Sequence, residues 1–208
     1  MANGFAQVLG CLLAAAGLGC LIAATCMNEW TWKTVGEAKF QRTTAGLWMS
    51  CDWSSPYVVT CNIFDSIIHQ DTQIQVTRGV MLLSIALSSI GLLAAILGME
   101  ATLCLSGAGK SKVAFAGGLL LSISGLCALV VVSWYGHSVI TTFYSTEQDR
   151  SSPGKCLFWG WGGALLTLIG GLFLASCSLS KSNSTSIRKP SSSSSHGQTA
   201  LQPCKDFV

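Results

Sequence analysis

Two cysteines, Cys51 and Cys61, stand ten residues apart in the one long polar stretch that separates apolar runs. The chemistry open to them is oxidation to a disulfide. Leu47 to Asp52 and Val58 to Ile63 are both rich in β-formers, and Ser54-Ser55-Pro56 between them is a turn signal. A hairpin over this span sets Cys51 and Cys61 on opposite arms. A bridge there would close a small loop and contribute about 3 kcal/mol in the chain-entropy view. It would need an oxidising compartment, so the loop is expected to face outward. The alternative is a pair of free thiols. Gly46-Leu47-Trp48 leads into the pair, Trp30 precedes it and Arg78 follows it.

Other chemistries find no constellation. His69, His137 and His196 lie far apart, and the 10 cysteines contain no C-x-x-C pair, so neither a metal site nor a cofactor is expected. Gly107-Ala108-Gly109-Lys110-Ser111 looks like a phosphate loop. That motif needs a further glycine where Cys104 stands, and a strand ahead of it, so nucleotide binding is rejected. No Ser/His/Asp set or carboxylate pair falls at a common membrane depth, and no enzyme is expected. The net charge is only +3, with no basic run interleaved with aromatics, which argues against nucleic acid.

The elements that must position the cysteines are membrane spans. Half of the 208 residues are apolar and 10% are charged, against about a quarter charged in a soluble domain. The charges leave four gaps, at about 5–27, 79–99, 113–135 and 156–177, each long enough for a bilayer core of about 30 Å. The lipid bilayer is therefore the first partner. A signal peptide is the alternative for the first run, but no Lys or Arg precedes Phe5. Small residues four apart, as in Gly10/Ala14, Ala15/Gly19, Gly91/Ala95 and Ala94/Gly98, let helices approach closely in lipid. So do Gly117, Gly118 and Gly125 in the third run and the glycines of the fourth.

The outer loops are then 28–78 and 136–155. Trp30 to Val35 alternates as a strand would, and Asp65 to Ile68 suits a short helix. Arg78 marks the start of span two, and a snorkelling side chain is its simplest reading. The apolar character of span three continues past the membrane, which suits a helix extending outward. Residues 178–208 form a Ser-rich tail expected to be disordered. Its Asp206-Phe207-Val208 end could add as a strand to a PDZ groove. Cys104 and Cys177 sit where palmitoylation is plausible, or are idle thiols. The Asn183-Ser184-Thr185 acceptor triplet is expected to go unglycosylated on the inner side.

The full pattern, Trp30…Gly46-Leu47-Trp48-x-x-Cys51-x9-Cys61…Arg78, resembles the first extracellular loop of the claudins, and the likeness covers nearly the whole chain. It implies a left-handed four-helix transmembrane bundle carrying a small extracellular antiparallel β-sheet, with the cysteine pair bridged within it. Trp30 and Gly46-Leu47-Trp48 would anchor the sheet to the bundle. The family polymerises in one membrane and pairs with strands of the next cell, giving a seal or a charge-selective pore. The implied partners are further copies and other claudins in cis and trans, and PDZ scaffold proteins at the tail. The implied location is the plasma membrane at tight junctions, both termini cytoplasmic.

By the same resemblance, Ile67 falls at an apolar knob, and Phe143 and Tyr144 at the aromatic pocket that receives it from a neighbour. Asp52, Lys33, Lys39 and Arg42 are the candidate pore charges. The family's usual acidic selectivity positions fall on neutral Ser54 and Asn62. The chain departs from the family at Ser145-Thr146 and Ser151-Ser152-Pro153 in the second loop, and in ending Phe-Val. A second reading is a claudin-like auxiliary subunit of a channel, or a myelin-type four-span component. Strand formation separates the two.

Overall fold

The four apolar runs form four long helices: α1 (Ala2–Cys26), α2 (Thr72–Leu97), α3 (Gly109–Ser145) and α4 (Lys155–Ile187). A computed structural model of the chain describes residues 2–35, 42–55, 58–63, 71–99, 109–145 and 149–187. Each helix contains a stretch long and apolar enough to cross a membrane, from 23 residues in α1 to 31 in α3. The loop sequences supply five strands: β1 (Thr31–Val35), β2 (Arg42–Ala45), β3 (Met49–Ser55), β4 (Val58–Ile63) and β5 (Asp149–Pro153). They form one antiparallel sheet in the order β4-β3-β2-β1-β5. The sheet caps the bundle end where α1 and α3 finish and α2 and α4 begin. The start of α1 and the finish of α4 therefore lie together at the far end.

Several boundaries differ from the sequence reading. Span two begins at Thr72, so Arg78 lies inside α2 and not ahead of it. The third helix does extend beyond the apolar span, to Ser145. The fourth runs past Cys177 to Ile187, so the tail expected from Ser178 starts as helix. Between Gly171 and Pro190 the sequence has no glycine or proline to end it. β3 begins at Met49 and carries on through Ser55, which places Leu47 and Trp48 outside the strand. Strands β2 (Arg-Thr-Thr-Ala) and β5 (Asp-Arg-Ser-Ser-Pro) were not expected. Neither alternates in hydrophobicity, and each owes its state to backbone pairing with neighbours distant in sequence.

α4 packs between α1 and α3, and α3 packs on α2. Lipid gives apolar side chains no reason to leave it, so close backbone approach must hold the helices together. On α1 the contact stripe is Gly10, Ala14, Gly17 and Leu21, at heptad spacing. A Cβ on Gly17 would lie 2.6 Å from the Thr167 backbone nitrogen, and one on Gly170 would lie 2.7 Å from that of Ala14. On the α3–α4 seam a Cβ on Gly125 would lie 2.7 Å from the Leu168 nitrogen and 2.9 Å from the Ala164 carbonyl oxygen. The pairs Gly10/Ala14 and Gly91/Ala95 thus lie in contacts, as the spacing suggested. Ala15/Gly19 does not: Gly19 has nothing within 4 Å, and Gly17 takes its place.

Alanine gains helix propensity wherever it replaces glycine, by about 1 kcal/mol, so packing decides the sign. Gly19→Ala is expected to leave stability unchanged or slightly raised. Gly125→Ala is expected to lose about 1–3 kcal/mol through overpacking. Thermal unfolding of the two variants in one detergent checks this; equal midpoints would count against the seam.

Candidate functional site

The last turn of a helix leaves carbonyl groups without helical partners. At the end of α1 these are supplied in sequence. Ala23 O accepts from the Met27 N–H at 3.0 Å. Ala24 O accepts from the Trp30 indole Nε1–H at 2.8 Å. Thr25 O accepts from the Trp48 indole Nε1–H at 2.9 Å. Two tryptophans from the loop thus cap the helix that leads into it. Trp30 is fully buried and meets Tyr135 of α3 edge-to-face, ring centroids 5.1 Å apart. It is therefore a core residue and not an interfacial one. Its backbone also starts the sheet: its N–H donates to Ala45 O at 3.1 Å, and its carbonyl accepts from Gly154 N–H at 2.9 Å. One residue joins α1, β2 and the approach to α4. A Cβ on Gly154 would collide with the Glu29 carbonyl, so glycine is required there.

Gly46-Leu47-Trp48 is the dip between β2 and β3 that brings the sheet down to the bundle. Gly46 passes so close to Asn28 that a side chain could not fit, and its N–H donates to Met49 O at 3.0 Å, closing the dip. Leu47 is fully buried in the core with Trp30, Met81 and Leu157. Arg78 fastens the dip from α2: its Nε–H donates to the Leu47 carbonyl. Its guanidinium lies over the Trp48 ring, 5.2 Å from the centroid, a cation–π contact. Arg78 is 7% exposed. The snorkelling reading is thus corrected: the side chain turns inward, because the loop carbonyl and the indole face offer it partners that water would otherwise provide.

Cys51 and Cys61 are directly opposite in the β3–β4 register and are bridged, Cα atoms 4.0 Å apart. The register also sorts the candidate pore charges. Lys33, Thr43, Asp52 and Thr60 face one another across β1 to β4, so they share one face of the sheet. Arg42 is one residue out of step and belongs to the other face. It pairs with Trp53 across β2–β3 and lies over the Trp32 ring at 5.9 Å. Lys33 lines a small pocket between β1 and the upper ends of α2 and α3.

Tyr144 stands 82% exposed near the end of α3. Cys177 is partly buried on α4. Lys39, Ile67, Cys104 and Asp206-Phe207-Val208 lie outside the described residues, as do the side chains of Phe143 and Ser54. The knob, and one wall of its pocket, therefore lie outside the described residues. Tyr135, Thr25 and Gly154 are site residues that the sequence reading missed. None has a local signature; each is defined by a partner distant in sequence.

Trp48→Phe keeps the ring but removes the donor to Thr25 O, and is expected to cost about 1–3 kcal/mol for a carbonyl left unpaired. Arg78→Lys is expected to lose a similar amount, since an ammonium cannot both donate in that geometry and stack on the indole. The double variant should fall short of additivity, because both act on the same dip; denaturation of all three checks it. Cys51→Ser/Cys61→Ser is expected to speed proteolysis of the loop while helix content by circular dichroism stays the same. Loss of helix content would place the disulfide in the bundle's stability instead.

A profile of the PMP-22/EMP/MP20/Claudin family matches residues 5–174. Among individual relatives, claudin-7-A of Danio rerio is 37% identical over 95% of this chain and 97% of its own. Claudin-7 of Homo sapiens is 33% identical over 86% of this chain and 88% of its own. Claudin-1 of Mus musculus is 36% identical over the same shares. With four membrane-length helices, a bridged sheet and both tryptophans at the junction, this chain is a multi-pass membrane protein that belongs to the claudin family.

Proposed function

We propose that this protein is a tight-junction adhesion component that polymerises with copies of itself and with other claudins, and acts chiefly as a paracellular barrier. The observation that carries the reading is the junction of sheet and bundle. Two indole caps, a buried arginine and a disulfide fix a rigid platform on a four-span anchor. Such a platform holds loop surfaces at a constant height above a membrane. The disulfide supports an extracellular sheet. Both ends of the chain then lie in the cytoplasm, where Asp206-Phe207-Val208 would engage a PDZ scaffold and Cys104 and Cys177 could be acylated. Ile67 is taken as the lateral knob, received by Phe143 and Tyr144 of a neighbour; the exposure of Tyr144 supports this.

Barrier is favoured over strong selectivity because, among the described residues of the first loop, few charges remain for an open wall. Arg42 is stacked on Trp32 on one face, and Lys33 lines a pocket beneath the other. Asn62, at a usual selectivity position, is neutral. Asp52 stands two strands from Lys33 on the same face, and one carboxylate there gives a weak preference for cations.

Expression in epithelial cells lacking endogenous claudins is expected to give junctional strands, raised transepithelial resistance and a small sodium preference in dilution potentials. Asp52→Asn should abolish that preference, and Ile67→Ala should disperse the strands without lowering surface delivery. A chloride preference would refute the assignment to Asp52. Surface protein without strands, co-purifying with a large channel, would favour an auxiliary subunit. A mobility shift on deglycosylation, traced to Asn183, would invert the topology.

A further inference from the structure

Two cavities follow one another along the seam between α2 and α3. The lower is a groove of about 360 Å³ lined by Val76, Val80, Leu126, Cys127, Val130, Val131 and Trp134. That volume is within the range of about 300–1,000 Å³ typical of ligand pockets. The upper is smaller, about 150 Å³, and its lining mixes polar and charged side chains with Ala45, Ile74 and Val139. It is roofed by Thr31 and Lys33 of β1 and floored by Asp71, Gln73, Tyr135 and Ser138. Gln73 and Val76 are three apart on α2, and Trp134 and Ser138 four apart on α3, so each pair is stacked on one helix face. The Ser138 hydroxyl donates to Gln73 Oε1 at 2.9 Å, beside the passage from one level to the other.

Depth agrees with an amphiphile standing along this seam. From Leu126 to Trp134 the helix rises about 12 Å, somewhat less than one leaflet of a core about 30 Å thick. Trp134 then sits at the interfacial belt. The upper pocket lies just above it, at headgroup level on the sheet's side of the membrane. Val130 is 62% exposed and Leu126 52%, so the groove opens to lipid along its length.

We propose that the α2–α3 seam is a binding site for one zwitterionic phospholipid of the leaflet on the sheet's side. An acyl chain lies in the apolar groove. The phosphate meets Lys33, and the headgroup ammonium meets Asp71. Charge complementarity selects this occupant. Among the described residues the pocket offers one cation and one carboxylate, which match the two charges of a phosphocholine or phosphoethanolamine. A sterol's single hydroxyl would match neither charge, and an anionic lipid would be repelled by Asp71. The lipid would wedge β1 against α2 and α3, tying the height of the sheet to the membrane surface. The inference needs only that the four helices span a bilayer, and does not rest on the junctional reading.

The test uses the full chain in nanodiscs with phosphatidylcholine carrying a diazirine near the middle of its acyl chain. After illumination, adducts are mapped by peptide mass spectrometry. They are expected to concentrate on the groove residues of α2 and α3 and to fall at least fivefold in Val130→Trp or, as a second variant, Leu126→Trp. Leu172→Trp, on the lipid-exposed face of α4, should leave them unchanged. Phosphatidylglycerol with the same probe should label the groove several-fold less, and Lys33→Gln/Asp71→Asn should erase the difference. An intact disulfide and a single gel-filtration peak confirm folding of each variant. Adducts spread evenly over the outer faces of all four helices would mean ordinary boundary lipid and overturn the site. Equal labelling by the two lipids would overturn the headgroup assignment. Displacement by a sterol but not by phosphatidylcholine would assign the groove to sterol and refute the proposal.

Discussion

Everything above the membrane hangs on the last turn of α1. A helix that ends at a bilayer boundary must satisfy its final carbonyls, and each left buried and unpaired costs about 1–3 kcal/mol. Here two loop indoles do it, Trp30 at Ala24 O and Trp48 at Thr25 O. The same contacts that finish the helix therefore fix the start of β1 and the dip before β3. Because Trp30 also pairs through its backbone with Ala45 and Gly154, the cap is shared by three parts of the chain. The sheet cannot tilt on the bundle without breaking the end of a membrane helix.

Arg78 adds a second lock from α2, coupled to the first through the Trp48 ring. A buried guanidinium is expensive unless its hydrogens and its charge are both met. The Leu47 carbonyl takes the Nε–H and the Trp48 ring faces the charge, and each then has its own position constrained in return. Below the junction the forces change. The bundle is held by glycine-lined seams in which backbones touch, since burial of apolar side chains gives little inside lipid. The two regimes meet within about one helical turn of Arg78. This explains why polar and aromatic residues cluster there and small residues below.

Much of the plan was legible. The four spans follow from charge-free runs, the bridge from Cys51 and Cys61 across a turn, and the anchors from Trp30 and Gly46-Leu47-Trp48. Failures were of one kind. Small residues four apart revealed that α1 has a packing stripe but not its full course; continuing Gly10 and Ala14 at heptad spacing reaches Gly17, whereas Gly19 points away. Strands β2 and β5 have no alternation to read, and β5 exists because β1 pairs with it. Tyr135 is unremarkable in sequence and becomes a site residue only by lying edge-on to Trp30.

The sequence by itself determined what is set by solvent and covalent chemistry: which segments enter lipid, where the loop lies, and which thiols can oxidise. These follow from transfer free energies and from chain spacing, which are local properties. Tertiary structure alone decided what depends on partners distant in the chain. It turned Arg78 inward and set Arg42 on the opposite face from Lys33 and Asp52. It also brought the smaller pocket directly above the apolar groove. The physical reason is that hydrogen bonds, ring contacts and cavities are relations between surfaces, and a residue's type names only one side of each.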